Sequence, residues 1–202
     1  MRKSKKIKMT SPKGIAVYPH LSEPNRRFDS NGVYEVKLKL EGDEATAFVD
    51  RLKNILDDHH TTVSKEMKKK VKRADLPVTE VIDDEGHETG EVEVKFKLKA
   101  QFDYEGKTVT QRPVLLDAKK NPITDVNVGS GSTLRIGCEV FPYYTATVGA
   151  GLSLRCKVVQ VIDLVEYGGG TAGYDFDDED GFEAVATAMT DEDTGDGVED
   201  LL

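Results

Sequence analysis

The sequence predicts a mainly β fold, a small antiparallel barrel of the OB-like or SH3-like type with one inserted α-helix. Hydrophobic and polar residues alternate along several segments, which indicates strands with one buried and one solvated face. A single segment has helical periodicity instead. Two strands, a helix and four further strands, with glycine-rich turns, favour an antiparallel barrel over a parallel α/β fold.

Strict alternation predicts the strands. The longest run, from Val92 to Tyr104, alternates apolar with charged or polar residues and predicts one long strand, followed by a turn at Glu105-Gly106. The other predicted strands are 14–20, 33–40, 114–116, 134–140 and 152–158. Cys138 and Cys156 fall on the apolar faces of the last two, so both are predicted to be small core residues.

The predicted helix runs from Asp43 to Arg73, with apolar residues every three or four positions. Asp43 is a suitable N-cap, and six basic residues in 65–73 suit the negative end of the helix dipole. Leu76-Pro77 is expected to stop the helix. The sequence leaves open whether this helix is a lid on the barrel or a surface for a partner.

Charge divides the chain into three parts, although the net charge is −9. Residues 1–167 carry all 28 Lys and Arg and 25 of the 37 Asp and Glu, whereas 168–202 carry twelve acidic residues and no basic one. We therefore expect a basic N-terminal arm (1–13), a folded domain (14–168) and a disordered acidic tail (169–202). Residues 1–167 alone carry a net positive charge, which suits a polyanionic partner.

The sequence contains no recognisable catalytic, metal-binding or membrane-spanning motif. The sequence has no phosphate-binding glycine loop, no His-Glu-x-x-His and no Gly-x-Ser-x-Gly. The cluster at 57–60 (Asp-Asp-His-His) is not expected to hold a metal, because adjacent helical residues point in different directions. Apolar runs are far shorter than the ~20 residues of a membrane helix. We expect a cytoplasmic, non-catalytic chain with no cofactor.

Basic residues two apart suggest a track for a nucleic-acid backbone. Lys95, Lys97 and Lys99 share the wet face of one predicted strand, so their side chains lie about 7 Å apart. Lys37 with Lys39, and Arg155 with Lys157, are similar pairs; a solvated strand face is the alternative for each. Aromatic residues at 141–144 offer rings for base stacking, with core packing as the alternative.

Three stretches together resemble the replication single-stranded-DNA-binding proteins of T7-like phages. They are Gly32-Val-Tyr-Glu-Val-Lys-Leu38, Lys95-Phe-Lys97 and Pro142-Tyr143 with Thr147-Val-Gly-Ala150 and Tyr167-Gly-Gly-Gly170. An acidic tail follows in the same place. The resemblance implies an OB-fold that coats single-stranded DNA without strong sequence preference. It also implies that the arm at Lys5-Lys6, the strand at Lys95 and Lys97, and the loop 142–144 lie along the DNA groove.

The chain departs from the family pattern at several positions. Asn31 stands where a basic residue is usual, and Arg26 and Arg27 are candidates to replace it. The chain has no Trp, so Tyr144 is a candidate for the stacking role, and the chain ends in Leu201-Leu202 rather than an aromatic residue. The expected DNA-binding residues are Lys5, Lys6, Arg26, Arg27, Lys37, Lys39, Lys95, Lys97, Lys99, Tyr143, Tyr144 and Arg155.

The expected function is sequence-nonspecific binding of single-stranded DNA in phage replication and recombination, in the cytoplasm of the infected bacterium. The tail is expected to compete for the DNA groove and to contact replisome proteins such as polymerase and helicase-primase. Its expected partner-binding residues are Asp177, Asp178, Glu179, Asp180, Asp191, Glu192, Asp193, Glu199, Asp200, Leu201 and Leu202. A strand-annealing mediator and a protein–protein adaptor or virion component remain alternatives, and a homodimer remains open.

Overall fold

The structure, a computed structural model, describes residues 7–124 and 126–166. It contains ten strands and one helix over these residues. The elements are β1 (Ile7–Thr10), β2 (Gly14–Asn25), β3 (Val33–Leu40), α1 (Gly42–Glu66), β4 (Val78–Ile82), β5 (Glu88–Lys99), β6 (Gln101–Tyr104), β7 (Lys107–Thr110), β8 (Val114–Leu116), β9 (Thr133–Thr145) and β10 (Gly149–Asp163). Lys5, Lys6 and the predicted acidic tail lie outside the described residues.

Five of the strands form a barrel. They pair in the order β2-β3-β5-β10-β9, and β9 pairs again with β2. All of these pairings are antiparallel except that of β5 with β10. The mainly β prediction is confirmed, and this five-stranded arrangement is that of an OB barrel. The helix is inserted between the second and third barrel strands, β3 and β5.

The core fills the barrel and continues under the helix. Alternate residues of β3 and β5 point inward, as Leu38 and Phe96 do at 0% exposure. Leu52 and Leu56 of α1 are equally buried, so the apolar face of the helix covers the barrel. The cysteine prediction is confirmed, because Cys138 and Cys156 face each other across β9 and β10 inside the core.

The predicted strand from Val92 to Tyr104 is interrupted. β5 ends at Lys99, Ala100 is a bend, and β6 pairs with β7 as a separate two-stranded hairpin. The backbone of Ala100 donates to Gly32 O at 2.8 Å and accepts from Gln111 N at 2.9 Å. The alternation conceals this break because Ala100 is itself buried and keeps the apolar phase.

The helix differs from its prediction at both ends. Asp43 lies in the first turn, and the N-cap is Glu41, which makes no side-chain capping hydrogen bond. The helix ends at Glu66, and Lys68 has a left-handed backbone (φ +49°). The predicted helix extends to Arg73 because Val71 continues the apolar period, but Val71 lies in a non-helical segment that packs on Val63 and Ala150.

The N-terminal arm is partly a strand. Ile7–Thr10, inside the predicted arm 1–13, pair with Gly137 to Val140 of β9. Two further strands, β4 and β7, were not predicted, and β2, β9 and β10 are longer than the predicted strands. Local sequence does not predict these features, because a short strand forms by pairing with the edge of a neighbouring strand. Within the described part of the chain, no helix is long and apolar enough to cross a membrane.

Candidate nucleic-acid interface

A groove of about 790 Å³ crosses the outer face of β3, β5 and β10. Four basic and two aromatic side chains line it: Lys95, Lys97, Lys99, Arg155, Phe28 and Phe102. The face of the second and third barrel strands, here β3 and β5, is where OB barrels bind oligonucleotides. The loop between the first two barrel strands, here residues 26–32, borders the same groove through Phe28.

Strand alternation directs the basic side chains outward. Val94, Phe96 and Leu98 fill the core, so Lys95, Lys97 and Lys99 point to the opposite face. In the β5–β10 pairing Lys97 lies beside Arg155. Two neighbouring strands thus place four positive charges in one groove.

Exposed rings accompany these charges. Phe28 is 86% exposed, and the Arg27 guanidinium lies 5.4 Å from its ring centroid. Phe141 on β9 is 43% exposed, and the Arg155 guanidinium lies 3.6 Å from the centroid of its ring. Large apolar rings held at the surface beside cations are the components of a base-stacking platform.

Two acidic residues, Asp29 and Glu35, line the groove, and Glu35 pairs with two of its lysines. Glu35 on β3 has its Oε2 3.3 Å from Lys95 Nζ and 3.8 Å from Lys97 Nζ. Burial alone raises the pKa of this carboxyl, but Lys95, a hydrogen bond from Asn25 and Lys97 outweigh it, so the pKa is lowered. Burial and the neighbouring Lys95 lower the pKa of Lys97, which Glu35 opposes.

The structure brings together some of the predicted DNA-binding residues. Lys95, Lys97, Lys99 and Arg155 share the groove. Arg27 lies at its border against Phe28, in the same loop as Arg26. Arg26 donates from Nη1 to Ser30 O at 2.8 Å.

Lys37 and Lys39 also have carboxylate partners, but they lie outside the groove. Lys37 Nζ lies 2.7 Å from Glu93 Oε2, and Lys39 Nζ lies 3.0 Å from Glu91 Oε1. Neither lysine lines the groove. Their alternating charges match the solvated strand face that the sequence analysis kept as an alternative.

The two predicted tyrosines lie on the β9–β10 hairpin, away from the groove lining. The Tyr143 ring covers Gly151, since a Cβ built there would approach its Cζ to 2.5 Å. The Tyr143 carbonyl accepts a hydrogen bond from His59 Nε2 at 2.8 Å. Tyr144 packs against a buried cluster that includes Val63 and Ala150. Core contacts therefore account for part of the surface of both rings.

The acidic-histidine stretch 57–60 has separate structural partners. Asp57 Oδ1 accepts from Arg73 Nε at 2.8 Å, and His60 Nε2 lies 2.9 Å from Val71 O. Among the residues that the structure describes, no group of three or more His, Cys, Asp or Glu side chains could hold a metal ion.

Sequence reasoning missed Glu35 and Phe102 as groove residues. Both belong to strands with clear alternation. Alternation shows which face of the sheet a side chain lies on, but not which residue of the neighbouring strand lies beside it. The β3–β5 register places Glu35 opposite Lys97, and the hairpin that begins after Ala100 brings Phe102 to the groove. Neither pairing has a local signal in the sequence.

Sequence comparisons match this chain to single-stranded DNA-binding proteins of phages. The family model described as single-stranded DNA-binding protein of bacteriophage T7 matches residues 15–164. The single-stranded DNA-binding protein of Enterobacteria phage T3 is 28% identical over 185 residues, covering 82% of this chain and 80% of that protein. That of Escherichia phage T7 is 28% identical over 108 residues, covering 50% and 47%.

Solved structures share the fold. The crystal structure of gp2.5, a single-stranded DNA-binding protein encoded by bacteriophage T7, superimposes with a TM-score of 0.69 at 25% identity, covering 90% of this chain and all of that one. The single-stranded DNA-binding protein of bacteriophage Enc34, in complex with single-stranded DNA, has a TM-score of 0.56 at 14% identity and covers 80% and 89%. The chain therefore belongs to the family of the bacteriophage T7 single-stranded DNA-binding protein.

Proposed function

We propose that this chain binds single-stranded DNA through the groove on β3, β5 and β10, without strong sequence preference. The observation that carries the proposal is the set of four basic side chains directed into one groove beside exposed rings. Membership of the T7 family supports it, as does the Enc34 protein, which has the same fold and was solved with single-stranded DNA.

Phosphates and bases are bound by different groups. Lys95, Lys97, Lys99 and Arg155 neutralise phosphates and release counterions, which needs no particular base. Phe28, Phe102 and Phe141 stack on bases, each worth roughly 1–3 kcal/mol. Base faces are accessible only in an unpaired strand, so duplex DNA binds poorly.

The binding is non-catalytic and serves phage DNA replication and recombination. The matched family and its relatives are named for binding single-stranded DNA, which supports this role. The acidic segment 169–202 competes with DNA for the basic groove as a local polyanion and, when DNA displaces it, contacts replication enzymes. The distribution of charge supports this role, because every basic residue lies before that segment.

The test removes two groove charges together. We expect Lys97→Gln with Arg155→Gln to bind a fluorescent oligo-dT at least about tenfold more weakly, with a log–log salt slope shallower by about 1.4. Lys53→Gln with Lys119→Gln changes the net charge equally at exposed positions outside the groove and is the control. Equal affinities of the two double variants would place DNA binding elsewhere on the molecule.

A further inference from the structure

The groove contains a carboxylate where DNA phosphates are expected to bind. Glu35 Oε2 lies 3.3 Å from Lys95 Nζ and 3.8 Å from Lys97 Nζ, so one oxygen engages two of the four groove cations. The Glu35 side chain is only 22% exposed, whereas those of Lys95 and Lys97 are 42% and 51% exposed. The carboxylate is thus less exposed to solvent than the two lysine side chains that it contacts.

The fold holds this carboxylate in place. The β3–β5 register sets Glu35 directly opposite Lys97, on the outward face of β3. Asn25 Nδ2 donates to Glu35 Oε1 at 3.2 Å from the neighbouring strand β2. Both oxygens are therefore engaged, one by an amide and the other by two ammonium groups.

The carboxylate is ionised at neutral pH. Burial raises its pKa, but Lys95, Asn25 and Lys97 together hold the pKa below its ordinary value. A carboxylate oxygen and a phosphate oxygen accept the same charge-assisted hydrogen bonds from an ammonium group. In the unbound protein, Glu35 therefore has the partners that a phosphate requires.

We propose that Glu35 is a built-in competitor of the DNA phosphate for Lys95 and Lys97, and that it limits the affinity and the salt dependence of the groove. The inference rests on the proposed DNA binding. Lys99 has no ion pair within residues 7–124 and 126–166, so it is available to a phosphate without displacing an acid. Lys95 and Lys97 contribute only as far as phosphate outcompetes Glu35.

Two variants separate this competition from a general change of charge. Glu35→Gln keeps an acceptor for Asn25 and removes the negative charge from the groove. Glu93→Gln is the matched control, because Glu93 lies on the same sheet face, is 21% exposed and pairs with Lys37 at 2.7 Å, but does not line the groove. Both substitutions raise the net charge by one.

The measurement is the dissociation constant for a fluorescent oligo-dT at several salt concentrations, for the full-length chain and both variants. We expect Glu35→Gln to bind at least about threefold more tightly at low salt, with a log–log slope steeper by about 0.7. Glu93→Gln should produce less than half of either change, since its charge lies outside the groove.

Each other outcome is decisive. Equal effects of the two variants, or weaker binding by Glu35→Gln, would overturn the inference. Failure of the unmodified chain to bind oligo-dT would instead overturn the proposed function. If thermal unfolding shows that Glu35→Gln does not fold, Glu35→Thr, which suits a strand and also lacks the charge, must give the same tightening.

Discussion

At the scale of single residues, exposure together with a place in the groove lining marks a ring as a candidate for base stacking. Phe28 is 86% exposed, so its ring contributes little to the core. We expect Phe28→Ala to weaken oligo-dT binding by about 5- to 150-fold, the loss of one stacked base, and to change the free energy of unfolding by less than about 0.5 kcal/mol. Fluorescence anisotropy and denaturant unfolding measure the two effects.

The control for Phe28 is another exposed ring outside the groove. Tyr104 is 61% exposed on β6 and does not line the groove. Tyr104→Ala should change the affinity less than twofold, about 0.4 kcal/mol. A loss equal to that of Phe28→Ala would show that the affinity depends on surface rings in general and not on this groove.

The two thiols test the buried face of the same sheet. Cys138 and Cys156 are 2% and 0% exposed, and burial raises the pKa of each to about 12. At pH 8 both therefore remain protonated, and thiolate is the form that reacts. We expect no modification by a thiol reagent in the native protein and two reactive thiols after unfolding in denaturant. Rapid labelling of the native protein would contradict the closed barrel.

Individual charges show where sequence reasoning was sufficient and where it was not. Alternation alone placed Lys95, Lys97 and Lys99 on one outward face, as the structure has them. The same reasoning grouped Lys37 with them, although Lys37 pairs with Glu93. The register sets Lys37 directly opposite Lys95, so both lie on the same face, but Lys37 pairs with Glu93 and lies outside the groove. A period-two pattern assigns the face but shows neither the ion pairs nor the extent of the groove.

At the scale of elements, the segment after α1 fits tightly against the start of β10. The Gly149 backbone has φ +100°, and a Cβ there would collide with the carbonyl oxygen of Lys72. Backbone hydrogen bonds join Ala150 N to Lys72 O and Ala74 N to Ala150 O, both at 2.9 Å. This contact holds the basic segment 65–73 beside the β9–β10 hairpin.

Gly149→Ala is expected to lower the free energy of unfolding by about 2–3 kcal/mol, from backbone strain together with the collision. Gly86→Ala is the matched control, because Gly86 also has a left-handed backbone (φ +87°) but no atom within 4 Å of the added Cβ. Its cost should be about 1 kcal/mol. Denaturant unfolding measures both, and equal costs would show that the contact with Lys72 is not tight.

Element boundaries were predicted less well than element types. The helix period between Phe48 and Val63 correctly identified α1, because those residues face the core. The helix end was missed since Val71 is buried by a different backbone conformation. The break at Ala100 was also missed, because Ala100 is buried and continues the apolar–polar alternation although the backbone bends there.

At the scale of the whole molecule, the barrel and the charge distribution act together. The strand order β2-β3-β5-β10-β9 brings two basic strands into contact, although they are far apart in the chain. Composition had predicted a basic body and an acidic C-terminal segment, but only the topology combines Lys97 with Arg155. Alternation alone left an OB-like and an SH3-like barrel open, and only the family resemblance predicted the OB barrel.

The acidic segment gives a prediction at this scale. We expect a 1–168 truncation to bind oligo-dT more tightly than the full chain, with the largest gain at low salt, because twelve acidic residues no longer compete for the groove. The truncation retains Val165, whose backbone bonds Ser132 and Gly129, so the barrel stays closed at this end. Unchanged or weaker binding would contradict the competition.

The most direct test of the central claim is the affinity of the full-length chain for oligo-dT and for a matched duplex across a salt series. If the four groove cations each neutralise one phosphate, the log–log slope for the single strand should be near −2.8, from roughly −0.7 per contact. Because stacking needs unpaired bases, the duplex should bind at least about tenfold more weakly. Equal affinity for the two forms, or a slope near zero, would contradict an electrostatic groove with stacking rings.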